Sequence, residues 1–410
     1  MPMVDYLGRL IDPVIEQLLA ELPALLIVGP RASGKTTTAA RHAHDIVRLD
    51  RDDEAAAFRA DPDAAIATLR EPILFDEWQE VPGVLGAVKR AIDADPRPGR
   101  FILTGSVRAE LDVATWPGTG RVVPLTMFPM TVGERLGSMQ TPLIERVVRG
   151  DHINTPLSTP NIVEYLELAL SGGFPEPATR LTGASRQRWI EGYVSQSVAR
   201  DAPGIGRRDV VNLRGYLEAC ALHTGGIVDQ ISIARDAGVD RKTGADYDDL
   251  LQRLMLIGST PAWTTNRLKR LIRTPKRFLV DASLLNGLFG STPEAVLRDG
   301  KMLGRVIETF VMSQLRAEQV ASPSRPRLYH FRQHDGRREI DVIAEVGAHT
   351  IVAIEVKAGA APTASDARHL TWLRDELGDR FLAGVLLHTG QSTFELGNRL
   401  FATPISSLWA

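Results

Sequence analysis

Gly29-Pro-Arg-Ala-Ser-Gly-Lys35-Thr36 supplies, in order, the Gly, the four free positions and the Gly-Lys-Thr of a phosphate-binding P-loop. The residues around it give the context that such a loop needs. Ala24-Leu-Leu-Ile-Val28 reads as a short buried strand leading in, and Thr36-Thr-Thr-Ala-Ala-Arg-His-Ala43 as the helix leading out. In that strand–loop–helix order the backbone N–H groups point at the phosphates, where the helix dipole favours negative charge. The candidate nucleotide-binding residues are therefore Gly29, Pro30, Arg31, Ala32, Ser33, Gly34, Lys35, Thr36 and Thr37. Lys35 would reach the β and γ phosphates of ATP, and the Thr36 hydroxyl would ligate Mg²⁺.

Hydrolysis needs a second, acidic strand. Pro72-Ile-Leu-Phe-Asp76-Glu77 is apolar and ends in two carboxylates. Asp76 would hold Mg²⁺ and Glu77 would orient the attacking water. A third strand, Arg100-Phe-Ile-Leu-Thr104-Gly-Ser106, ends in hydroxyls. Placed between the other two, as in AAA and RecA-like sheets, it would bring Thr104 or Ser106 near the γ-phosphate. Ile46–Asp50 and Arg121–Leu125 complete a five-stranded parallel sheet with crossover helices, an α/β P-loop NTPase fold over residues 1–150. Arg121, opening its strand, reads either as an arginine sensor or as a surface charge.

Composition agrees with a large soluble chain. Its 410 residues suit two to four domains, and 44% hydrophobic residues suffice for real cores. A net charge of −2 gives no global pull toward nucleic acid, so such binding must come from a local patch. The single Cys220 excludes an internal disulfide and sits in an apolar helical stretch, which suggests core packing in a reducing compartment. Early charges at Asp5, Arg9 and Asp12 argue against a signal peptide, and no apolar run approaches the ~20 residues of a membrane span. The expectation is a cytoplasmic protein with no membrane partner.

After the sheet, the stretch from Ser138 to Asn161 is rich in Thr, Pro and Ser and reads as an exposed connector. Ile162, Tyr165, Leu166 and Ala169 then share a helix face before a break at Gly172-Gly-Phe-Pro175, so residues 151–205 read as a helical lid or linker. Residues 206–290 read as a winged helix, with helices over Leu213–Leu222, Asp229–Gly238 and Arg241–Met255. From Asn266 to Arg277 run six Lys or Arg and no acid. Arg267, Lys269, Arg270 and Arg273 are the candidate phosphate contacts of such a wing. Against major-groove readout stand Asp246, Asp248 and Asp249 on the third helix, which would repel a phosphate backbone. Docking of DNA or RNA, docking of a protein, and a lid role all remain open for this segment.

Residues 291–410 carry a second chemical signature. The periodicity predicts a helix over 302–318, strands over 327–332, 339–346 and 350–358, a helix over 365–377 and a strand over 381–388. Strand alternation puts Glu355 and Lys357 on one face, and a hairpin at Gly347 would bring Asp341 beside Glu355. Asp341 and Glu355 are the candidate metal ligands, Lys357 the charge-neutralising residue and Glu308 a helix acid. This arrangement resembles the PD-(D/E)xK core of restriction-type nucleases, with Ile340 rather than Pro before Asp341.

The chain as a whole, from about Tyr6, resembles a bacterial family of AAA-type ATPases that end in a domain of unknown function numbered 4143. The resemblance is carried by the P-loop, Leu74-Phe-Asp-Glu77, Leu103-Thr-Gly-Ser106, Gly172-Gly-Phe-Pro-Glu176, Thr274-Pro-Lys276 with Asp281, and Ile354-Glu-Val-Lys357. It implies an ATPase, a winged-helix segment and a restriction-endonuclease-like tail. Three functions stay in view. The first is an ATP-driven enzyme on nucleic acid that cleaves through its tail. The second is an ATPase switch whose tail only binds, and the third is a protein-remodelling ATPase, each compatible with a homo-oligomer or a protein partner.

Overall fold

The computed structural model describes residues 6–105, 120–200, 207–265, 273–333, 336–347 and 350–410. Ser106, Arg267, Lys269 and Arg270 lie outside them. The chain divides into two compact units, residues 1–129 with 253–255, and residues 130–252 with 256–410.

In the first unit five strands form one parallel sheet: β1 (Ala24–Val28), β2 (Asp45–Arg48), β3 (Ile73–Asp76), β4 (Phe101–Gly105) and β5 (Val122–Thr126), in the order β2-β3-β4-β1-β5. The hydroxyl-ending strand thus lies between the P-loop strand and the acidic strand, as expected. Every residue of β1, β3 and β4 is buried, because crossover helices cover both faces of a parallel sheet. Phe75, Phe101, Leu26 and Leu103 pack with Trp78, Val84 and Val88 in the core. Register pairs Val28 with Gly105 and Asp76 with Thr104, so the P-loop, the acids and Thr104 share the carboxyl edge, where open α/β sheets bind ligands. Arg121 precedes Val122, which pairs with Ala24 at the opposite edge, and its guanidinium meets the exposed Asp93 at 2.8 Å. That position and its ion pair suit the surface-charge reading of Arg121.

In the second unit, helices Arg207–Leu222, Gln230–Asp236 and Arg241–Arg253 precede an antiparallel pair, β6 (Ile257–Thr260) and β7 (Lys276–Leu279). Cys220 is buried in the first of these helices, and burial with the nearby Asp248 pushes its thiol up to about 12. The long helix Gly300–Ala321 is followed by β8 (Arg327–Arg332), β9 (Glu339–Val346), β10 (Thr350–Lys357), helix Arg368–Leu377 and β11 (Phe381–His388). Two further strands, β12 (Phe394–Gly397) and β13 (Leu400–Pro404), complete a six-stranded sheet of order β12-β13-β11-β10-β9-β8. Sequence reasoning missed this pair because β12 is a short, largely exposed edge strand and β13 runs into Pro404.

The expected connector is not all loop. Helix Leu143–Arg149 buries Leu143, Ile144 and Val147, and its Thr, Pro and Ser-rich flanks concealed it. The Leu143 N–H donates to Glu318 at 2.9 Å, and Glu145 accepts from the Ser322 hydroxyl at 2.8 Å. Burial raises the Glu318 carboxyl to about 8 from its ordinary 4.5. Between those values the folded state holds a proton that the unfolded state has lost, so stability falls as pH rises through that window. Glu318→Gln keeps an acceptor for Leu143 and removes the ionisation. Thermal melts at about pH 5 and about pH 9 are expected to show a smaller loss in the variant, by on the order of 1–4 kcal/mol. Equal losses in both proteins would contradict this.

The Gly172-Gly173 break is a packing device. A side chain at Gly173 would collide with the Met130 carbonyl, and the Gly173 N–H donates to the buried Asp281 at 2.8 Å. The helix before it, Ile162–Ser171, buries Tyr165, Leu166 and Ala169 as its periodicity predicts. Its Tyr165 hydroxyl accepts from the Ser406 N–H at 3.0 Å, pinning it within the second unit. No helix among the described residues is long and apolar enough to cross a membrane.

Candidate functional site

At the carboxyl edge of the first sheet the P-loop is drawn tight. A side chain at Gly29 would collide with the Met127 carbonyl, so only Gly lets the backbone pass there. Gly34 takes φ 96° ahead of helix Lys35–Ala39, whose continuation is a 3₁₀ turn, Ala40–His42. Lys35 is buried and its ammonium donates to the Gly29 and Pro30 carbonyls at 3.0 and 2.9 Å. Burial lowers it to about 8, with Glu77 and Asp76 pulling the other way. Ser33 is fully buried and its hydroxyl has no hydrogen-bond partner among the described residues. A loop holding such a hydroxyl and a buried ammonium that donates to the loop's own carbonyls suits an anionic ligand.

Two of the residues expected to hold a metal lie together. The Thr36 hydroxyl lies 2.7 Å from Asp76 Oδ1, and the Thr104 hydroxyl donates to the same oxygen at 2.5 Å. Two oxygen donors from different elements meet at one point beside the loop, the hard-ligand set that Mg²⁺ prefers. Glu77 follows in the left-handed region at φ 51°, a turn that takes it off the strand, and Gln79 donates to its carboxylate at 2.5 Å. The sequence reading missed Arg9. Its buried guanidinium donates to the Ser33 carbonyl at 2.9 Å and to the Phe128 carbonyl at 2.8 Å, clasping the loop's base. A lone Arg read as one of several early charges carried no signal of that task.

In the second unit the residues read as a nuclease-type set do converge. Asp341 on β9 and Glu355 on β10 lie one step past the paired Val342 and Ile354, and Asp341 Oδ2 accepts from the Val356 N–H at 3.0 Å. Lys357 donates to Glu355 at 2.7 Å. Glu308, from helix Gly300–Ala321, joins them through an unforeseen residue, Lys276 of β7. The Lys276 ammonium pairs with Glu308, with Asp341 at 2.9 Å and with Glu339 at 3.6 Å, and its side chain is 1% exposed. Burial alone would lower that ammonium, but Asp341, Glu308 and Glu339 hold it above its ordinary value. Burial and the neighbouring Asp341 raise Glu355 and Glu308 to about 8 each. Asp341 moves the other way: burial opposes its ionisation, but Lys276 and the Val356 N–H hold it below the usual range. Among the described residues no group of three or more His, Cys, Asp or Glu is arranged to hold a metal ion.

The basic ribbon splits in two. Lys276 and Arg277 are buried in ion pairs and are not available to phosphates. Arg277 meets Asp248 at 3.0 Å, so Asp248 also leaves the outward face assigned to it, while Asp246 and Asp249 stay exposed. Arg273 donates to the Arg332 carbonyl at 2.9 Å, and the Trp263 N–H donates to the His330 carbonyl at 2.6 Å. The stem of the β6–β7 connection therefore runs along edge strand β8. There the exposed Arg332 and Arg337, with Arg338 stacked 4.4 Å over the Trp372 ring, add basic groups that the sequence reading passed over.

Comparison with known proteins fits this division of the chain. Residues 162–295 and 303–408 match two families described as domains of unknown function, DUF8612 and DUF4143. An uncharacterized protein of Mycobacterium bovis and another of Mycobacterium tuberculosis are each 26% identical over 402 residues, spanning 96% of this chain and 82% of theirs. A Walker-type ATPase of Pyrococcus abyssi matches in structure with a TM-score of 0.42 at 15% identity, over 69% of this chain and 96% of that one. Residues 21–136 match the family described as AAA domain. That stretch carries the parallel strand order and the phosphate loop of a P-loop NTPase fold.

Proposed function

We propose that this chain is a Mg²⁺-dependent ATPase that acts on nucleic acid in the cytoplasm. The observation that carries the ATPase reading is the convergence of Lys35, Thr36, Asp76 and Thr104 at one sheet edge. Thr36 and Asp76 would hold Mg²⁺, which neutralises charge on the β and γ phosphates when bound. Lys35 would exchange its two loop carbonyls for phosphate oxygens, and Glu77 would orient the attacking water. Thr104, bonded to Asp76, would keep that carboxylate aimed; Ser106 is proposed beside it.

The nucleic-acid reading is supported by the order of three helices and an antiparallel pair, which suits a winged helix with the 261–275 connection as its wing. Arg267, Lys269, Arg270 and Arg273 of that wing would join Arg332 and Arg337 of the adjoining edge in contacting phosphates. Charges that contact phosphate give affinity without sequence preference and make it salt-dependent. The helix–strand–strand–strand–helix–strand order of 300–388 supports a restriction-endonuclease-like tail that binds rather than cuts. A protein-docking role is the second reading, favoured by the exposed Asp246 and Asp249 on the third helix.

The test is anisotropy with single- and double-stranded DNA and RNA across a salt series. Arg273→Ala/Arg332→Ala/Arg337→Ala is expected to weaken binding about equally for all sequences and to flatten the log–log salt slope by roughly one unit per lost contact. No measurable binding by the wild-type protein, or a slope unchanged in the variant, would hand the segment to the protein-docking reading.

A further inference from the structure

The carboxylates of Glu308, Asp341 and Glu339 gather on a cation, and that cation is Lys276 of the chain itself. We infer that the Lys276 ammonium permanently takes the place a divalent ion would hold, so that the C-terminal acid cluster is a socket for the β6–β7 pair and not a metal-dependent phosphodiesterase site.

The ligand set argues for this first. A Mg²⁺ ion needs about six oxygens at roughly 2.0–2.1 Å around one point. Here the oxygens of Glu308 and Asp341 that would supply it already close on Lys276 Nζ, with Glu339 3.6 Å away. The second oxygen of Asp341 is held by the Val356 N–H, and Glu355 has its own ammonium in Lys357. Among the described residues Glu308 Oε1 and Glu355 Oε2 have no hydrogen-bond partner, and the first of these already faces the Lys276 ammonium, which leaves too few oxygens for a hard dication. A dication brought among these groups would also face the buried Lys276 ammonium, and like charges repel strongly where water is excluded.

Lys276 is, in addition, strapped in place. Thr260 pairs with Lys276 in the β6–β7 ladder. On the other side the Gly225 N–H donates to the Arg277 carbonyl at 2.8 Å, and the Arg277 N–H to the Gly226 carbonyl at 3.1 Å. His330 Nε2 lies 3.1 Å from the Thr274 carbonyl two residues upstream. Drawing Lys276 out would break these bonds and leave buried backbone groups unpaired, which excludes a loosely held plug. What the socket recognises is a lysine ammonium presented on an extended strand.

The experiment is a Mn²⁺ titration of the full chain without nucleotide, read by the electron paramagnetic resonance of free ion. Wild type and Asp341→Asn are expected to give superimposable isotherms, since any weak uptake at the P-loop is common to both. Lys276→Gln empties the ion position and is expected to gain one site, bound at least tenfold more tightly, that Lys276→Gln/Asp341→Asn loses again. A wild-type site that Asp341→Asn removes would overturn the inference, and so would a folded Lys276→Gln protein that gains none. If Lys276→Gln fails to fold, the wild-type and Asp341→Asn pair decides alone, with Glu355→Gln replacing Asp341→Asn if needed. No nucleic acid enters this titration, so failure of the nucleic-acid reading leaves its outcome unchanged.

Discussion

Lys35→Ala is expected to weaken ATP binding by roughly 10- to 150-fold, whereas Glu77→Gln leaves binding within about threefold and stops turnover. Lys35 enters the loop buried and donates to the Gly29 and Pro30 carbonyls, with burial lowering it to about 8. A triphosphate replaces those neutral acceptors with anionic ones, and charge-assisted bonds of that kind are worth about 1.5–3 kcal/mol each. Ala forfeits them in the ground state. Glu77 sits one residue past Asp76, accepts from Gln79 and acts on Lys35 through its charge, while Thr36 and Thr104 bond to Asp76. Its loss removes the group that positions water, an effect of about 10²–10⁴ in rate. Calorimetric titration with ATP and phosphate release under saturating ATP separate the two variants. Turnover by Glu77→Gln at the wild-type rate would remove Glu77 from the mechanism.

Arg277→Met should destabilise the second unit by about 3–5 kcal/mol, because it leaves Asp248 charged and buried without its cation. Arg277 and Asp248 are 8% and 3% exposed, and the guanidinium also donates to the Val228 carbonyl at 2.8 Å. Asp248 in turn accepts from the Tyr216 hydroxyl at 3.2 Å and from Gln252 at 2.7 Å. One carboxylate thereby ties the first and third helices of the middle segment to β7. Removing Asp248 as well, in Arg277→Met/Asp248→Leu, is expected to recover part of the loss, since no unpaired charge then remains. Denaturation followed by intrinsic fluorescence measures both. An Arg277→Met protein within about 1 kcal/mol of wild type would show that the pair is dispensable.

The amino-terminal domain was legible because its information is local. The P-loop signature, the apolar strand before it and the acids ending Phe75-Asp76-Glu77 each occupy a few consecutive residues. The two periods, 3.6 and 2, then place the apolar faces. The same holds for the helix and strand order between residues 300 and 388, which matches the expected order element by element. Where short elements sat in polar surroundings, as with helix Leu143–Arg149 and strand Phe394–Gly397, no periodic signal was long enough to read.

The work of individual charges is a different matter. From sequence, Lys276 and Arg277 counted as wing cations, Asp248 as a repelling surface acid, and Arg9 as one early charge among several. Lys276 meets Asp341 65 positions away, Arg277 meets Asp248 at a separation of 29, and Arg9 reaches Phe128 at a separation of 119. A charged side chain looks the same in sequence whether water or a buried partner surrounds it, and only burial converts it from a solvated group into a fixed counter-ion. By itself the sequence determined which atoms could bind a phosphate or a metal and on which strands they ride. Tertiary packing alone decided how those atoms are paired: at Asp76 the hydroxyls of Thr36 and Thr104 meet on one carboxylate oxygen, whereas at Asp341 an ammonium from β7 pairs with the acid.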